Sequence, residues 1–310
     1  MSLTTPDSER ADLSIVLPAC NEAVGLAQLL PALTARYPRA EVLVIDDGST
    51  DTTPEVCDAA GVRRVRHPES RGNGAAVKRG ARQARGDVLV FMDADGQHDP
   101  ADIQHLLSAL DAGYDLVVGA RDRRAQASTA RWAANTFYNR VASWFVGQRV
   151  ADLTSGFRAC RAAAFREFLS LLPNGFSYPT TSTMAFFRAG YSVSYAPVNV
   201  APRDRRQTSH IRLFRDGARF LIIIFRIGTL YSPLKLFVPI SLLFFFAGLG
   251  YYTIRFVIQG HLSFSNGTGL LFITSILIFL IGLVSEQITQ LVYASGVRQP
   301  PEPSRYDDLS

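Results

Sequence analysis

The chain of 310 residues predicts an α/β fold, a mostly parallel sheet covered by helices, followed by a distinct apolar region. Three observations carry this reading. Short apolar runs alternate with helical stretches from residue 13 to about 202, polar clusters stand directly after those runs, and long uncharged segments take over near the end. In open sheets of this kind ligands bind outside the carboxyl ends of the strands, which is where all three polar clusters fall.

SIVLP at 14–18 reads as the first buried strand, with a helix over 24–37 behind it. EVLVIDD at 41–47 is the second strand, and 54–60 the next helix. Arg71-Gly72-Asn73-Gly74 then leads into a helix over 74–84, with Lys78 near its start. VLVFMDAD at 88–95 is a strand that runs straight into a pair of acids. A helix over 100–112 follows, and DLVVGA at 115–120 is the fourth strand.

After Pro202 the character changes. Ile211, Phe214, Ala218, Leu221 or Ile222, and Phe225 recur near helical period, flanked by Arg212, Arg215, Arg219 and Arg226. Such a basic amphipathic helix suits an anionic bilayer surface; the alternative is a helix packed on its own domain. It also offers a surface for homo-oligomerisation. Residues 236–254 then contain nineteen positions without a charge, and 262–285 contain twenty-four. Each is long enough to cross a hydrocarbon core of roughly 30 Å, so two transmembrane helices are expected over 234–259 and 267–294. Lys235, Arg226 and Arg298 lie on one side, whereas the intervening turn over 259–267 has no Lys or Arg. The positive-inside bias therefore puts both termini and the α/β domain in the cytosol, on a plasma or inner membrane. Arg255 is the exception and snorkels from its span; Glu286 reads as interfacial. The plan that results is a disordered 1–12, an α/β domain over 13–210, a juxtamembrane helix over 211–233, the transmembrane region over 234–294 and a disordered, Pro-rich 295–310.

The charge distribution agrees. Between Arg203 and Lys235 stand eight Arg or Lys against two Asp, more than the whole formal net charge of +5. A basic patch so confined points to a local anionic partner and away from general nucleic-acid binding. Cys20, Cys57 and Cys160 form neither an even set nor a metal-ligand spacing, so reduced thiols are expected. The polar first twelve residues carry no apolar signal region.

The most informative stretch is Asp93-Ala94-Asp95 with Gln97. On extended backbone, side chains two positions apart share a face, so both carboxylates can face one divalent cation. Oxygen-ligated Mg²⁺ or Mn²⁺ is the usual partner, with substrate phosphates completing the shell; a solvated acidic turn is the plainer alternative. Asp46 and Asp47 open a DDGSTD run that is equally good turn and N-cap chemistry. Arg71 to Gly74 with Lys78 either presents amides and a cation to phosphate or forms a structural glycine turn; it lacks the Lys-Ser/Thr ending of a P-loop. His98 and His105 read as structural or surface residues.

Taken in order, Pro18-Ala19-Cys20-Asn21-Glu22, Ile45-Asp46-Asp47-Gly48-Ser49, Asp93-Ala94-Asp95-Gly96-Gln97-His98 and Asp152-Leu153-Thr154-Ser155-Gly156-Phe157-Arg158 resemble the motifs of the family 2 glycosyltransferases. More narrowly, the chain is similar to the dolichyl-phosphate mannose synthase-like group, whose members include polyprenyl-phosphate glycosyltransferases with two C-terminal membrane helices. The resemblance covers roughly residues 13–294. It implies a GT-A, Rossmann-like catalytic domain that moves a sugar from a UDP- or GDP-sugar to an undecaprenyl or dolichyl type of polyprenyl phosphate, with inversion, using Mg²⁺ or Mn²⁺.

The resemblance also implies roles. Pro18, Cys20, Glu22, Ile45, Asp46, Asp47, Asp93 and Ala94 fall at nucleotide-binding positions, joined by Arg206 and His210. Asp93, Asp95 and Gln97 match the metal and diphosphate positions. Arg121, Arg131 and Asn135 match those that hold the acceptor phosphate, and guanidinium groups suit it. Asp152 resembles the carboxylate near sugar and acceptor, so Asp95, Arg121 and Asp152 are the expected catalytic set, with no general base assigned. The chain departs from the pattern at residues 203–210, where Gln207 stands for Gly and His210 for Lys, so the Arg of that motif falls at Arg203 or Arg205 only after a one-residue shift. Two other readings remain open. A glycan or protein acceptor would suit a processive synthase, whose Gln-x-x-Arg-Trp motif has Ser128 in place of its glutamine here; a non-catalytic membrane-tethered nucleotide-binding scaffold is the other.

Overall fold

The computed structural model describes residues 11–121, 129–175, 177–199, 225, 228–229, 232–259 and 265–296. Its centre is a seven-stranded sheet, built from β1 (Leu13–Ala19), β2 (Glu41–Asp46), β3 (Arg63–Arg66), β4 (Val88–Phe91), β5 (Leu116–Arg121), β6 (Arg158–Arg161) and β7 (Val193–Val198), in the order β3-β2-β1-β4-β6-β5-β7. Four pairings are parallel; β6 runs antiparallel to both β4 and β5.

Strand pleating sorts the core into two layers. Leu13, Ile15 and Leu17 of β1, with Val42 and Val44 of β2 and Val88 and Val90 of β4, pack on one face against α1 (Ala23–Arg36) and α4 (Ile103–Asp111). Their neighbours Val16, Leu43, Ile45, Leu89 and Phe91 face the other way, toward α3 (Asn73–Gln83), α5 (Thr129–Val146), α6 (Ala162–Glu167) and α7 (Tyr178–Arg188). Burial on both faces explains why these strands read as nearly unbroken apolar runs. The short α2 (Thr53–Ala59) follows β2.

The elements differ from expectation at three points. The chain leaves β4 at Phe91, so Asp93 and Asp95 lie on the turn beyond the strand rather than on extended backbone. The helix expected over 100–112 begins as a 3₁₀ turn at Pro100–Asp102, where the Asp99 carboxylate accepts from the Ala101 amide at 2.8 Å. β3, β6 and β7 have no apolar run and were not expected.

Beyond the sheet, two apolar helices, Pro233–Gln259 and Asn266–Gly296, form an antiparallel hairpin. Ser241 and Ser275 exchange hydroxyl-to-carbonyl hydrogen bonds at 2.9 Å in both directions, so each satisfies the other away from water. The most apolar windows of the two helices are only 11% and 17% buried, which fits a lipid-facing pair and not the core of a soluble domain. Of the expected juxtamembrane helix, nearly all lies outside the described residues.

Candidate active site

The cleft opens at the carboxyl ends of β1, β2 and β4. About 270 Å³ in volume, it is lined by Pro18, Ala19, Cys20, Glu22, Asp47, Asn73, Ala76, Asp93, Ala94 and Asp95. Three strand ends and the start of α3, far apart in sequence, thus meet where an α/β sheet exposes its strand ends.

The first wall is laced to its neighbour. Asn21, held at a left-handed φ of 59°, accepts at Oδ1 from the Thr50 amide at 2.8 Å and the Asp51 amide at 3.2 Å. In return the Ser49 hydroxyl accepts from the Asn21 amide at 3.0 Å, and the Asp51 carboxylate from the Ala23 amide at 3.2 Å. Asp51 therefore caps the start of α1 from across the sheet. This lacing presents Cys20 and Glu22 to the cleft. Burial raises the Cys20 thiol above its ordinary pKa, and the Asp47 charge adds to the shift, so the side chain stays a neutral thiol.

Asp47 holds the second wall. Its carboxylate accepts from His67 Nδ1 at 2.6 Å, the Ser70 hydroxyl at 2.8 Å and the amides of Arg71 and Gly72 at 2.9 and 2.8 Å. Burial alone would raise this carboxyl; the hydrogen bonds from His67, Arg71, Gly72 and Ser70 outweigh it and hold it below its ordinary value. Asp47 borders the cleft while it organises residues 67–72. Two motif-mates are not among the residues that line the cleft. Ile45 is fully buried in the core, and the fully buried Asp46 accepts from the Ser49 amide and faces Arg66 and Arg64 at 3.5 and 3.6 Å. The Asp46 side chain builds the turn, as capping chemistry predicts.

The third wall is the acidic turn. Asp93 and Asp95 are half-buried, and Asp95 Oδ1 accepts from the Gln97 amide at 3.1 Å. Close backbone approaches fix this turn from both sides: a Cβ on Gly25 of α1 would stand 2.3 Å from the Ala94 carbonyl, and one on Gly156 would stand 3.0 Å from Asp93 Oδ2. Gln97 lines a neighbouring opening of about 400 Å³ with Gln28, His98 and Asn199 and does not line the cleft itself. Among the described residues no group of three or more His, Cys, Asp or Glu could hold a metal. Asp93 and Asp95 bring two hard-oxygen carboxylates to a cleft that Glu22 and Asp47 also line, a donor chemistry that fits Mg²⁺ or Mn²⁺ completed by ligand phosphates and water.

Asp152 lies in the neighbouring 152–157 loop, buried, with Oδ1 accepting from the amide and hydroxyl of Thr154, both at 3.0 Å. It is outside the cleft lining. The loop rests on Arg158, whose buried guanidinium donates to the Ser155 carbonyl, the Pro179 carbonyl at 3.1 Å and the Ser182 hydroxyl at 2.7 Å; Tyr178 donates to the Gly156 carbonyl at 3.0 Å. Sequence reasoning did not single out this support, nor Ala76 at the cleft; Asn73, in the turn it offered to phosphate, does line the cleft. In that Arg71–Gly74 turn the amides of Gly74 and Ala75 donate to the carbonyls of Gly175 and Asn174, at 3.2 and 2.8 Å. Lys78, well inside α3, donates to the Leu172 carbonyl and to Asn174. His98 stacks on Phe157, and His105 is exposed beside Asp102. Arg121 ends β5 and the backbones of Arg131 and Asn135 lie in α5, but the side chains of all three are outside the described residues, as are Arg206 and His210.

A model of the glycosyl transferase family 2 matches residues 14–170, from β1 through the acidic turn to the Arg158 strand. The chain belongs to glycosyl transferase family 2. A second model, of the GtrB C-terminal hairpin, matches residues 232–291. This family 2 glycosyltransferase is 28% identical over 300 residues to Glycosyltransferase AglJ of Haloferax volcanii, across 93% of this chain and 96% of that protein. It is 31% identical over 211 residues to polyprenol monophosphomannose synthase of Mycolicibacterium smegmatis, across 61% and 77% of the two chains. Among solved structures, glucosyl-3-phosphoglycerate synthase from Mycobacterium tuberculosis in complex with Mn²⁺, UDP and glucosyl-3-phosphoglycerate shares the fold, with a TM-score of 0.53 and 24% identity over 70% of this chain and 82% of that one.

Proposed function

We propose that this enzyme transfers a sugar from a UDP- or GDP-sugar to a polyprenyl phosphate at the cytosolic face of a cell membrane, with inversion at the anomeric carbon. The observation that carries the proposal is the single cleft that joins Pro18, Cys20 and Glu22 to Asp93 and Asp95, on a domain that continues into an apolar hairpin. Named relatives that act on polyprenol and undecaprenyl phosphate support the acceptor class. The Mn²⁺ and UDP in structures of the same fold support the donor and the cation.

In this reading the first wall, Pro18 to Glu22, receives the nucleoside, and Asp93 and Asp95 hold Mg²⁺ or Mn²⁺ against the diphosphate. When bound there, such a cation would offset charge on the departing nucleoside diphosphate. An oxygen of the acceptor phosphate forms the new bond to the anomeric carbon, and the bond from that carbon to the donor diphosphate breaks, its electron pair leaving with the nucleotide. A phosphate anion is nucleophilic at neutral pH and carries no proton that must be removed, so a strong general base is unnecessary. Alignment of the two phosphates and charge compensation supply the catalysis. Arg121, Arg131 and Asn135 are proposed for the acceptor phosphate, and Arg206 and His210 for closing over the diphosphate.

The test is Asp95→Ala in membranes, with a labelled nucleotide sugar and a polyprenyl phosphate. Label entering the organic phase should fall by on the order of 10²-fold or more, while the protein stays folded and membrane-bound. Full transfer by the variant, or label confined to the aqueous phase with the unaltered enzyme, refutes the reading.

A further inference from the structure

The catalytic domain and the hairpin are joined by two charged contacts at the same end of the hairpin. Lys235, in the first turn of the helix Pro233–Gln259, donates through Nζ to the carbonyls of Phe145 and Trp144 at 2.8 and 3.2 Å. Those carbonyls belong to the last turn of α5, where helical acceptors lack partners and a cation is favoured. The second contact runs from α7: Arg188 pairs with Glu286 of the second hairpin helix at 3.2 Å. The other carboxylate oxygen of Glu286 accepts from the Leu234 amide at 3.4 Å, an acid placed at a helix N-terminus. Leu236 packs against the catalytic core beside them.

The hairpin register explains why these charges meet. A Cβ on Gly282 would stand 2.5 Å from Phe237 Cβ, and Ser241 faces Ser275, so residue 234 falls level with residue 286. The uncharged stretches 236–254 and 266–285 then lie on the far side of the contacts, while the second helix continues on the near side through Gln287 and Gln290 to Gly296. The contacts sit near the catalytic-domain end of both apolar spans, Pro233–Ile258 and Asn266–Leu291. An ion pair in bulk water would contribute little, but Glu286 is only 14% exposed and also holds a helix amide, so reversing either charge strands its partners.

We propose that Lys235, Arg188 and Glu286 form a latch that fixes the height of α5 above the bilayer and so positions the acceptor phosphate of a membrane-embedded lipid. Rigid helix connects the two places: from Phe145 to the backbone of Asn135 is about 15 Å, and to that of Arg131 about 21 Å, at 1.5 Å per residue. This rests on the proposal that Arg131 and Asn135 serve the acceptor. The three residues touch neither donor nor acceptor; they act through α5.

The experiment uses the full chain in phospholipid vesicles, as wild type, Arg188→Glu, Glu286→Arg and the exchange of both. Transfer is measured to a long polyprenyl phosphate embedded in the vesicles and to a short, water-soluble prenyl phosphate. Each single reversal should raise KM for the embedded acceptor roughly tenfold, about the cost of a few tenths to half an ångström of misplacement, and leave the soluble acceptor unchanged. The exchange rebuilds the ion pair but leaves the Leu234 amide without its acceptor, so it should recover most, not all, of the wild-type KM. Arg188→Gln guards against a reversal that fails to insert and should give a smaller rise. Unchanged KM for the embedded acceptor, equal losses with both acceptors, or no rescue by the exchange overturns the latch. A wild type that glycosylates neither acceptor refutes the proposed function instead. Hydrogen exchange of the amides at 143–147 and 234–236 then still decides the latch, with faster exchange in the single variants expected and unaltered exchange contrary to it.

Discussion

Gly156→Ala tests the acidic turn without removing any functional group. The added Cβ would stand 3.0 Å from Asp93 Oδ2 and 3.1 Å from Oδ1, whereas ordinary contact begins at 3.4 Å. The Gly156 side cannot withdraw, because Tyr178 holds its carbonyl and Arg158 holds that of Ser155. The Asp93 carboxylate must therefore give by about 0.4 Å. If a misplacement of about 1 Å costs about 10²-fold in rate, 0.4 Å costs roughly 5- to 10-fold. Replacing Gly by Ala also restricts the unfolded chain, so the fold should survive. Transfer to polyprenyl phosphate, titrated with Mn²⁺ and Mg²⁺ and set beside a thermal melt, is the assay. The expected result is a 5- to 10-fold loss, lessened by excess cation, with the melting temperature nearly unchanged. Wild-type activity and an unaltered cation requirement in a folded variant would refute the placement of Asp93 as a ligand that this loop supports.

Asp47→Ala removes the acceptor of the His67, Ser70, Arg71 and Gly72 donors and should cost roughly 2–4 kcal/mol, a fall of about 5–15 °C in melting temperature. Because the folded-state carboxyl is held below its ordinary value, its stabilisation is complete above the unfolded pKa of about 4 and is lost as pH falls through the lower folded value. Acid-unfolding curves should thus converge for wild type and variant below about pH 4, and curves that stay parallel there would contradict the assignment. Arg158→Met strips four oxygens of a buried donor. It should cost roughly 2–4 kcal/mol, with Arg158→Lys failing to restore full stability in the same melts, since one ammonium cannot span the fork's acceptors.

What the sequence shows of this fold follows from how its strands are buried. β1, β2, β4 and β5 lie between two helical layers, so their side chains are apolar on both faces and the runs are plain to read. β6 is equally buried yet reads Arg-Ala-Cys-Arg, because its first arginine is satisfied by oxygens of α7 and its own loop, contacts that exist only once the chain is folded. β3, at the sheet edge, reads Arg-Arg-Val-Arg because its side chains pair with Glu41, Asp58 and Asp46. The site divides in the same way. Cys20, Asp47 and Asp93 stand together because motif residues that follow parallel strands end at one edge. Ile45 and Asp46 belong to the same motif, but strand parity turns Ile45 into the core and Asp46 into a buried turn. The acidic pair shows the limit most clearly. Strand pleating suggested that Asp93 and Asp95 share a face, yet the strand ends at Phe91, and their convergence comes instead from two glycines, Gly25 and Gly156, whose missing side chains let α1 and the 152–157 loop close on the turn. Nothing local to residues 93–95 encodes that closure; it is carried by residues nearly seventy positions upstream and about sixty downstream, which is why substituting Gly156 discriminates between a ligand held by its loop and an acidic turn exposed to solvent.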